Sequence, residues 1–139
     1  MAVALIVDAG PLYAYVDRDD SDHAACLDVL ETHPGPLVVP LLVVAEVAYL
    51  LARRAGPEAE ARFLIDLSTG VFALDPVPAA DWLRIAELVR QYRDLRLGTV
   101  DASVVAAAER LGIVEVATLD RRHFAVIRPN HAESFALLP

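Results

Sequence analysis

Short apolar runs alternate along the chain with longer segments in which apolar positions recur every three to four residues. Continuous apolar runs are typical of strands buried on both faces, and the longer spacing is typical of amphipathic helices. The runs predict strands over 2–7, 37–39, 71–74 and 113–119, with a candidate fifth strand over 125–128. The periodic segments predict helices over 10–16, 22–33, 41–55, 57–68, 78–95 and 99–111. This alternation predicts a single α/β domain over residues 1–139, with a mostly parallel sheet of four to five strands and helices on both faces.

The composition indicates an apolar surface that another chain covers. Of the 139 residues, 56% are hydrophobic, which is more than one small core readily hides, so we expect a homodimer. The lone cysteine, Cys26, excludes an internal disulfide and suits a reducing compartment. The N-terminus lacks the basic residues of a secretory signal, and Pro40 and Glu46 interrupt the long apolar run over 37–52. We therefore expect a cytoplasmic protein without a membrane span.

The charge balance limits the possible functions. The net charge of −8 argues against general electrostatic binding of nucleic acid. All twelve basic residues are arginine, so any mechanism that needs a catalytic lysine is excluded.

Two acids lie where this architecture places ligand sites, and a third lies at the start of a helix. Asp8 follows the first predicted strand and Asp120 follows the fourth, and ligands in parallel sheets bind beyond the carboxyl ends of strands. Asp101 lies in the first turn of the helix over 99–111. Each acid has an ordinary structural interpretation, because aspartate commonly caps turns and favours the N-terminal end of a helix dipole.

Glu46 is a fourth acid, in the middle of the apolar segment LLVVAEVAYLLA. Apolar residues occupy nearly the whole circumference of this helix, so we expect it to be largely buried. Glu46 shares a stripe with Tyr49 and Arg53, which is either a solvent-exposed face or a site where Glu46 pairs with Arg53. We favour a third interpretation, in which Glu46 is a partly buried carboxylate that needs a partner elsewhere.

Four converging carboxylates would repel one another unless a cation held them together. Mg²⁺ and Mn²⁺ prefer carboxylate oxygen and water as ligands, and such sites activate water and neutralise charge on phosphodiesters. Arg121 and Arg122 follow Asp120 directly and suit phosphate groups. The alternative for these arginines and His123 is a solvated turn.

The order of these motifs resembles that of PIN-domain ribonucleases, and more closely the VapC-type toxins of toxin–antitoxin pairs. The resemblance spans the chain and is carried by IVDAGPL, by Glu46 within its helix, by LGTVDASVVAAAERLG and by ATLDRRHFAVIRP. It implies a Mg²⁺- or Mn²⁺-dependent endoribonuclease that is restrained by a VapB-type antitoxin and forms a homodimer. It also implies that Asp8, Glu46, Asp101 and Asp120 bind metal and that the Thr118 hydroxyl supports them. Many relatives carry a polar residue at the position of Gly10, so this support is either missing here or supplied elsewhere.

Other classes of this fold fit less well. A phosphate-accepting receiver domain needs a lysine, and a phosphatase of the haloacid-dehalogenase type needs a lysine and Asp-x-Asp where residues 8–10 are Asp-Ala-Gly. A non-catalytic binding module and an RNA-processing PIN nuclease without an antitoxin remain alternatives.

Overall fold

The computed structural model describes residues 2–139, which form five strands and seven α-helices. The strands are β1 (Leu5–Val7), β2 (Leu37–Pro40), β3 (Ala73–Asp75), β4 (Glu115–Ala117) and β5 (Ala136–Leu138). The helices are α1 (Ala9–Val16), α2 (His23–Thr32), α3 (Leu41–Arg54), α4 (Pro57–Ser68), α5 (Ala79–Gln91), α6 (Thr99–Leu111) and α7 (Arg121–Phe124). A short 3₁₀ helix over Arg93–Leu95 joins α5 to α6. No helix among the described residues is long and apolar enough to cross a membrane.

The five strands form one parallel sheet in the order β3-β2-β1-β4-β5, which confirms the predicted α/β fold. Leu5 of the central strand β1 lies opposite Leu37 on one side and Glu115 on the other. All three β1 residues are fully buried, so both faces of the sheet are covered. The chain moves to opposite sides of β1 to form β2 and β4, and the carboxyl ends of β1 and β4 therefore flank a switch in strand order.

Helix α6 is packed deepest in the molecule. Its residues from Ala102 to Ala108 are all buried, and four of these seven are alanine, which lets the helix lie close to its neighbours. Ion pairs hold α5 against its outer face: Arg84 Nε lies 2.7 Å from Glu109 Oε1, and Arg110 Nε lies 3.1 Å from Asp81 Oδ2. These contacts fix the helix whose first turn carries Asp101.

The predicted fifth strand over 125–128 is wrong, because β5 is formed by Ala136–Leu138. Ile127 in the earlier segment and Phe124 just before it are fully buried in the core without joining the sheet. The fourth strand is also shorter than predicted, with Glu115–Ala117 paired in place of 113–119.

The prediction that α3 is largely buried is also wrong. Only Val43, Val47 and Leu51 are buried, at a spacing of four residues that places them along one stripe. The opposite side is open to solvent, where Tyr49 is 58% exposed. Helix α3 therefore buries one stripe and exposes the opposite side, although its sequence is mostly apolar.

Candidate active site

Asp8 is a buried acid at the switch in strand order. It follows β1, precedes α1, and is only 5% exposed. Its backbone N–H donates to the carbonyl of Ala117, which ties it to the end of β4. The Thr118 hydroxyl donates to Asp8 Oδ2 at 2.9 Å, whereas Asp8 Oδ1 is buried and has no hydrogen-bond partner among the described residues. A buried carboxylate oxygen without a partner is costly, and a bound cation would satisfy it.

Thr118 connects two of the predicted acids. While its hydroxyl donates to Asp8, the same oxygen accepts the backbone N–H of Asp120 at 2.9 Å. Thr118 is 1% exposed, so both hydrogen bonds of its hydroxyl are shielded from solvent. Gly10 itself offers no polar side chain to the site. A Cβ added at Gly10 would lie 3.3 Å from Leu119 Cβ, which is tighter than ordinary packing.

The pKa of Asp8 reflects its burial first and the neighbouring negative charges second. Burial and then the charge of Asp101 raise this pKa from 3.8 to about 7, and Glu46 adds a smaller rise. The backbone N–H of Ala9 and the hydroxyl of Thr118 offset part of the increase. The pKa of Asp101 rises to about 6, first through burial and then through the charge of Asp120. The charges of Glu46, Asp101 and Asp120 therefore each lie close enough to raise the pKa of a neighbouring aspartate, as expected of a carboxylate cluster that can bind a cation.

Glu46 adds its negative charge to the cluster from an exposed position. Its side chain lies on the open side of α3, so the favoured interpretation of a partly buried carboxylate is wrong. The alternative pairing with Arg53 does not form either, because Arg53 donates to the Tyr49 hydroxyl at 2.9 Å. Glu46 nevertheless raises the pKa of both Asp8 and Asp101, which places it at the rim of the acid cluster.

His123 contacts two of the acids, so for this residue the alternative of a solvated turn is wrong. Its backbone N–H donates to Asp120 Oδ1 at 3.2 Å, and its Nδ1 lies 2.6 Å from Asp120 Oδ2. The same Nδ1 lies 3.9 Å from Asp101 Oδ2. One ligand atom from each of these three residues lies within 4.8 Å of the others, a spacing that could hold a metal ion. The sequence signal is the i, i+3 spacing from Asp120, which matters only because Asp120 begins α7.

The two arginines of α7 are both exposed. The Arg121 guanidinium donates to the backbone carbonyls of Leu137 and Pro139, and is therefore directed at the C-terminal strand. This contact occupies Arg121 and makes Arg122 the more available of the two for phosphate.

Three other histidines, His23, His33 and His131, lie away from the four acids. Each is half-buried and makes a short polar contact. His33 Nε2 lies 2.8 Å from Glu115 Oε1, while His23 and His131 each hydrogen bond to a backbone carbonyl at 2.7 Å.

Comparisons with known proteins identify the family of this chain. The family model described as "PIN domain" matches residues 5–128. Ribonuclease VapC26 of Mycobacterium tuberculosis is 38% identical over 97% of this chain and 100% of its own length.

Solved structures share the fold. VapC20 of Mycobacterium tuberculosis, described as a "Sarcin-Ricin loop cleaving toxin", superposes with a TM-score of 0.76 at 21% identity, over 81% of this chain and 86% of that chain. A toxin–antitoxin complex from Klebsiella pneumoniae superposes with a TM-score of 0.69 at 22% identity, over 88% and 92%. VapBC2 from Rickettsia felis, bound to a DNA fragment from its promoter, superposes with a TM-score of 0.70 at 12% identity, over 99% of this chain and 100% of that chain. The chain belongs to the PIN-domain family, and within it to the VapC proteins.

Proposed function

We propose that the chain is a Mg²⁺- or Mn²⁺-dependent endoribonuclease and the cytoplasmic toxin of a VapBC-type toxin–antitoxin pair. The observation that carries this proposal is the buried Asp8 carboxylate, which lies beside the charges of Asp101 and Glu46. One of its oxygens has no hydrogen-bond partner in the described part of the chain. The 38% identity to Ribonuclease VapC26, over nearly the whole of both chains, supports RNA as the substrate class.

Asp8, Glu46, Asp101 and Asp120 would hold the divalent cation. When bound, the cation neutralises phosphodiester charge and activates water for hydrolysis. Thr118 fixes the Asp8 carboxylate and the backbone of Asp120 at once, so both acids keep their orientation as RNA binds. Arg122 lies on the adjacent short helix and offers a guanidinium to a phosphate of the substrate.

Cleavage of RNA by the purified protein tests this activity. We expect wild-type protein to cut total RNA with Mg²⁺ or Mn²⁺ and to stop when EDTA is added. Asp101→Asn should abolish cutting while the fold survives, because it removes a ligand charge and also a source of repulsion. Asp28→Asn, which alters an exposed acid on α2, is the matched control and should cut normally. Undiminished cutting in EDTA or by Asp101→Asn would contradict the mechanism.

A groove between α1, α2 and α4 suits the antitoxin. It encloses about 640 Å³, and none of the four acids lines it. Its apolar lining comes from Tyr15, Val16, Leu27, Ala55, Ala59 and Phe63. Arg18, Glu31, Arg62 and Asp66 give it charges of both signs. We infer that an amphipathic helix of a VapB-type antitoxin lies in this groove. An arginine beyond that helix would then reach the acid cluster and compete with the metal, since its planar fork pairs with carboxylates.

Growth of cells that express the protein tests the partnership. Expression of the wild-type chain alone should slow growth, and co-expression of the small protein encoded next to it should restore growth. Asp8→Ala should weaken binding of that protein, because the pairing arginine loses a carboxylate. If the neighbouring protein neither binds nor relieves the growth defect, the RNA-processing alternative replaces the toxin.

Exposed apolar side chains support a homodimer. Ile65 is 61% exposed, Leu83 is 74% exposed, and Trp82 is 48% exposed, and each costs free energy in water. We expect light scattering to report twice the chain mass at tens of micromolar protein. A monomer at that concentration would contradict the assignment.

A further inference from the structure

His123 is held against the acid cluster by two contacts with one carboxylate. Its backbone N–H and its imidazole both face Asp120, and the imidazole Nδ1 also lies 3.9 Å from Asp101 Oδ2. The side chain is 22% exposed, so most of the imidazole is shielded from solvent. The acid–metal mechanism described above assigns it no task.

The spacing of these atoms matches a shared metal ion. With ligands about 2.1 Å from an octahedral ion, neighbouring ligand atoms lie about 3.0 Å apart and opposite ones about 4.2 Å apart. The distances from His123 Nδ1, 2.6 Å to Asp120 and 3.9 Å to Asp101, need only small movements to reach those values. The ion takes the place of the proton between Nδ1 and Asp120, so the imidazole that binds it is the neutral tautomer protonated on Nε2. An independent observation also points to a cation, because Asp8 Oδ1 is buried and has no hydrogen-bond partner among residues 2–139. Thr118 links the Asp8 carboxylate to the backbone of Asp120, and the charge of Asp101 acts on Asp8.

We propose that His123 Nδ1 is a ligand of the metal ion, together with Asp101 and Asp120, and that this nitrogen gives the site a preference for Mn²⁺ over Mg²⁺. Mg²⁺ binds oxygen and gives up its water reluctantly, whereas imidazole nitrogen is a common ligand of transition metals. A site made only of oxygen ligands would discriminate less between Mn²⁺ and Mg²⁺. This inference rests on the proposed function, in which the cluster binds a divalent cation.

Pulsed electron paramagnetic resonance of the Mn²⁺-loaded protein tests the ligand directly. We expect the wild-type complex to show ¹⁴N coupling to Mn²⁺, and His123→Asn to lose it. The affinity for Mn²⁺ should fall about tenfold or more in His123→Asn, while the affinity for Mg²⁺ falls less. His23→Asn removes a half-buried histidine away from the acids and should keep the coupling. Wild-type protein with ¹⁵N-labelled histidine should show the altered coupling pattern of ¹⁵N, which tests the ligand even if His123→Asn does not fold.

Two outcomes would overturn the inference. The first is a wild-type Mn²⁺ complex without nitrogen coupling. The second is a His123→Asn variant that keeps wild-type affinity for Mn²⁺, since the Asn amide can replace the hydrogen bond to Asp120 but not the imidazole ligand. In either case RNA cleavage by wild-type protein with Mn²⁺ would leave the proposed function standing. Absence of Mn²⁺ binding and of cleavage would remove both.

Discussion

Replacing Asp8 with asparagine should stabilise the metal-free protein at neutral and alkaline pH. The Asp8 carboxylate is buried beside Asp101 and Glu46, and its pKa is raised from 3.8 to about 7. This rise corresponds to about 4 kcal/mol of unfavourable free energy when the group is ionised. Asparagine has nearly the same shape and can still accept the Thr118 hydroxyl, but it carries no charge.

The pH dependence follows from the direction of the shift. A group whose pKa is raised in the folded state binds its proton more tightly there, so its contribution to stability is complete below pH 3.8 and is lost as pH rises through about 7. Asparagine does not titrate. We therefore expect Asp8→Asn to match wild type near pH 4 and to exceed it by about 2–4 kcal/mol at pH 8. For a domain of this size the gain corresponds to a rise in Tm of about 10 °C.

Thermal and urea unfolding, followed by circular dichroism in EDTA at pH 4, 6 and 8, measures this effect. Asp28→Asn, on the exposed side of α2, should change stability at none of these pH values. Adding Mn²⁺ at pH 8 should stabilise wild type more than Asp8→Asn, because the ion binds the folded wild-type site. An Asp8→Asn variant that is no more stable than wild type at pH 8 without metal would refute the electrostatic reasoning.

Two further predictions concern the support of the site and of helix α6. Thr118→Val should lower the free energy of unfolding by about 1–3 kcal/mol and weaken Mn²⁺ binding about tenfold or more, because both Asp8 and the N–H of Asp120 lose their partner. Urea unfolding measures the first effect and calorimetry the second. Unchanged values would contradict the role of the hydroxyl. Gly112→Ala should cost about 1 kcal/mol in urea unfolding, because Gly112 ends α6 at a φ of 70°. Gly98→Ala, at the other end of the helix with a φ of −82° and open space around it, should cost less, and equal losses would refute the conformational argument.

The sequence predicted the sheet and the place of the acids for one physical reason. A strand buried on both faces must be apolar throughout, so β1 is recognisable as a run that ends at Asp8. Parallel strands bring their carboxyl ends to one edge, and the proximity of Asp8 to Thr118 and Asp120 follows once β1 and β4 are neighbours. Local pattern and topology are sufficient for this part of the site.

The errors arose where tertiary packing decides between equal local signals. The segments 125–128 and 136–138 are both short and apolar, and only packing shows that Ile127 fills the core while Leu137 joins the sheet. Hydropathy likewise could not tell that α3 buries one stripe and leaves Glu46 exposed. The contact of His123 with the acids depends on the turn that Asp120 begins, and no apolar spacing predicts that turn.

The most direct test of the central claim combines metal binding with catalysis. The claim is that a divalent cation, held by the acid cluster, is required for RNA hydrolysis. Single-turnover cleavage of a labelled single-stranded RNA should rise with Mn²⁺ and saturate, with its midpoint at the Kd that calorimetry gives for Mn²⁺ on the same protein. Asp101→Asn should weaken the binding and shift or abolish the cleavage together. Cleavage that does not depend on Mn²⁺ concentration, or that persists when Asp101→Asn no longer binds Mn²⁺, would contradict the account.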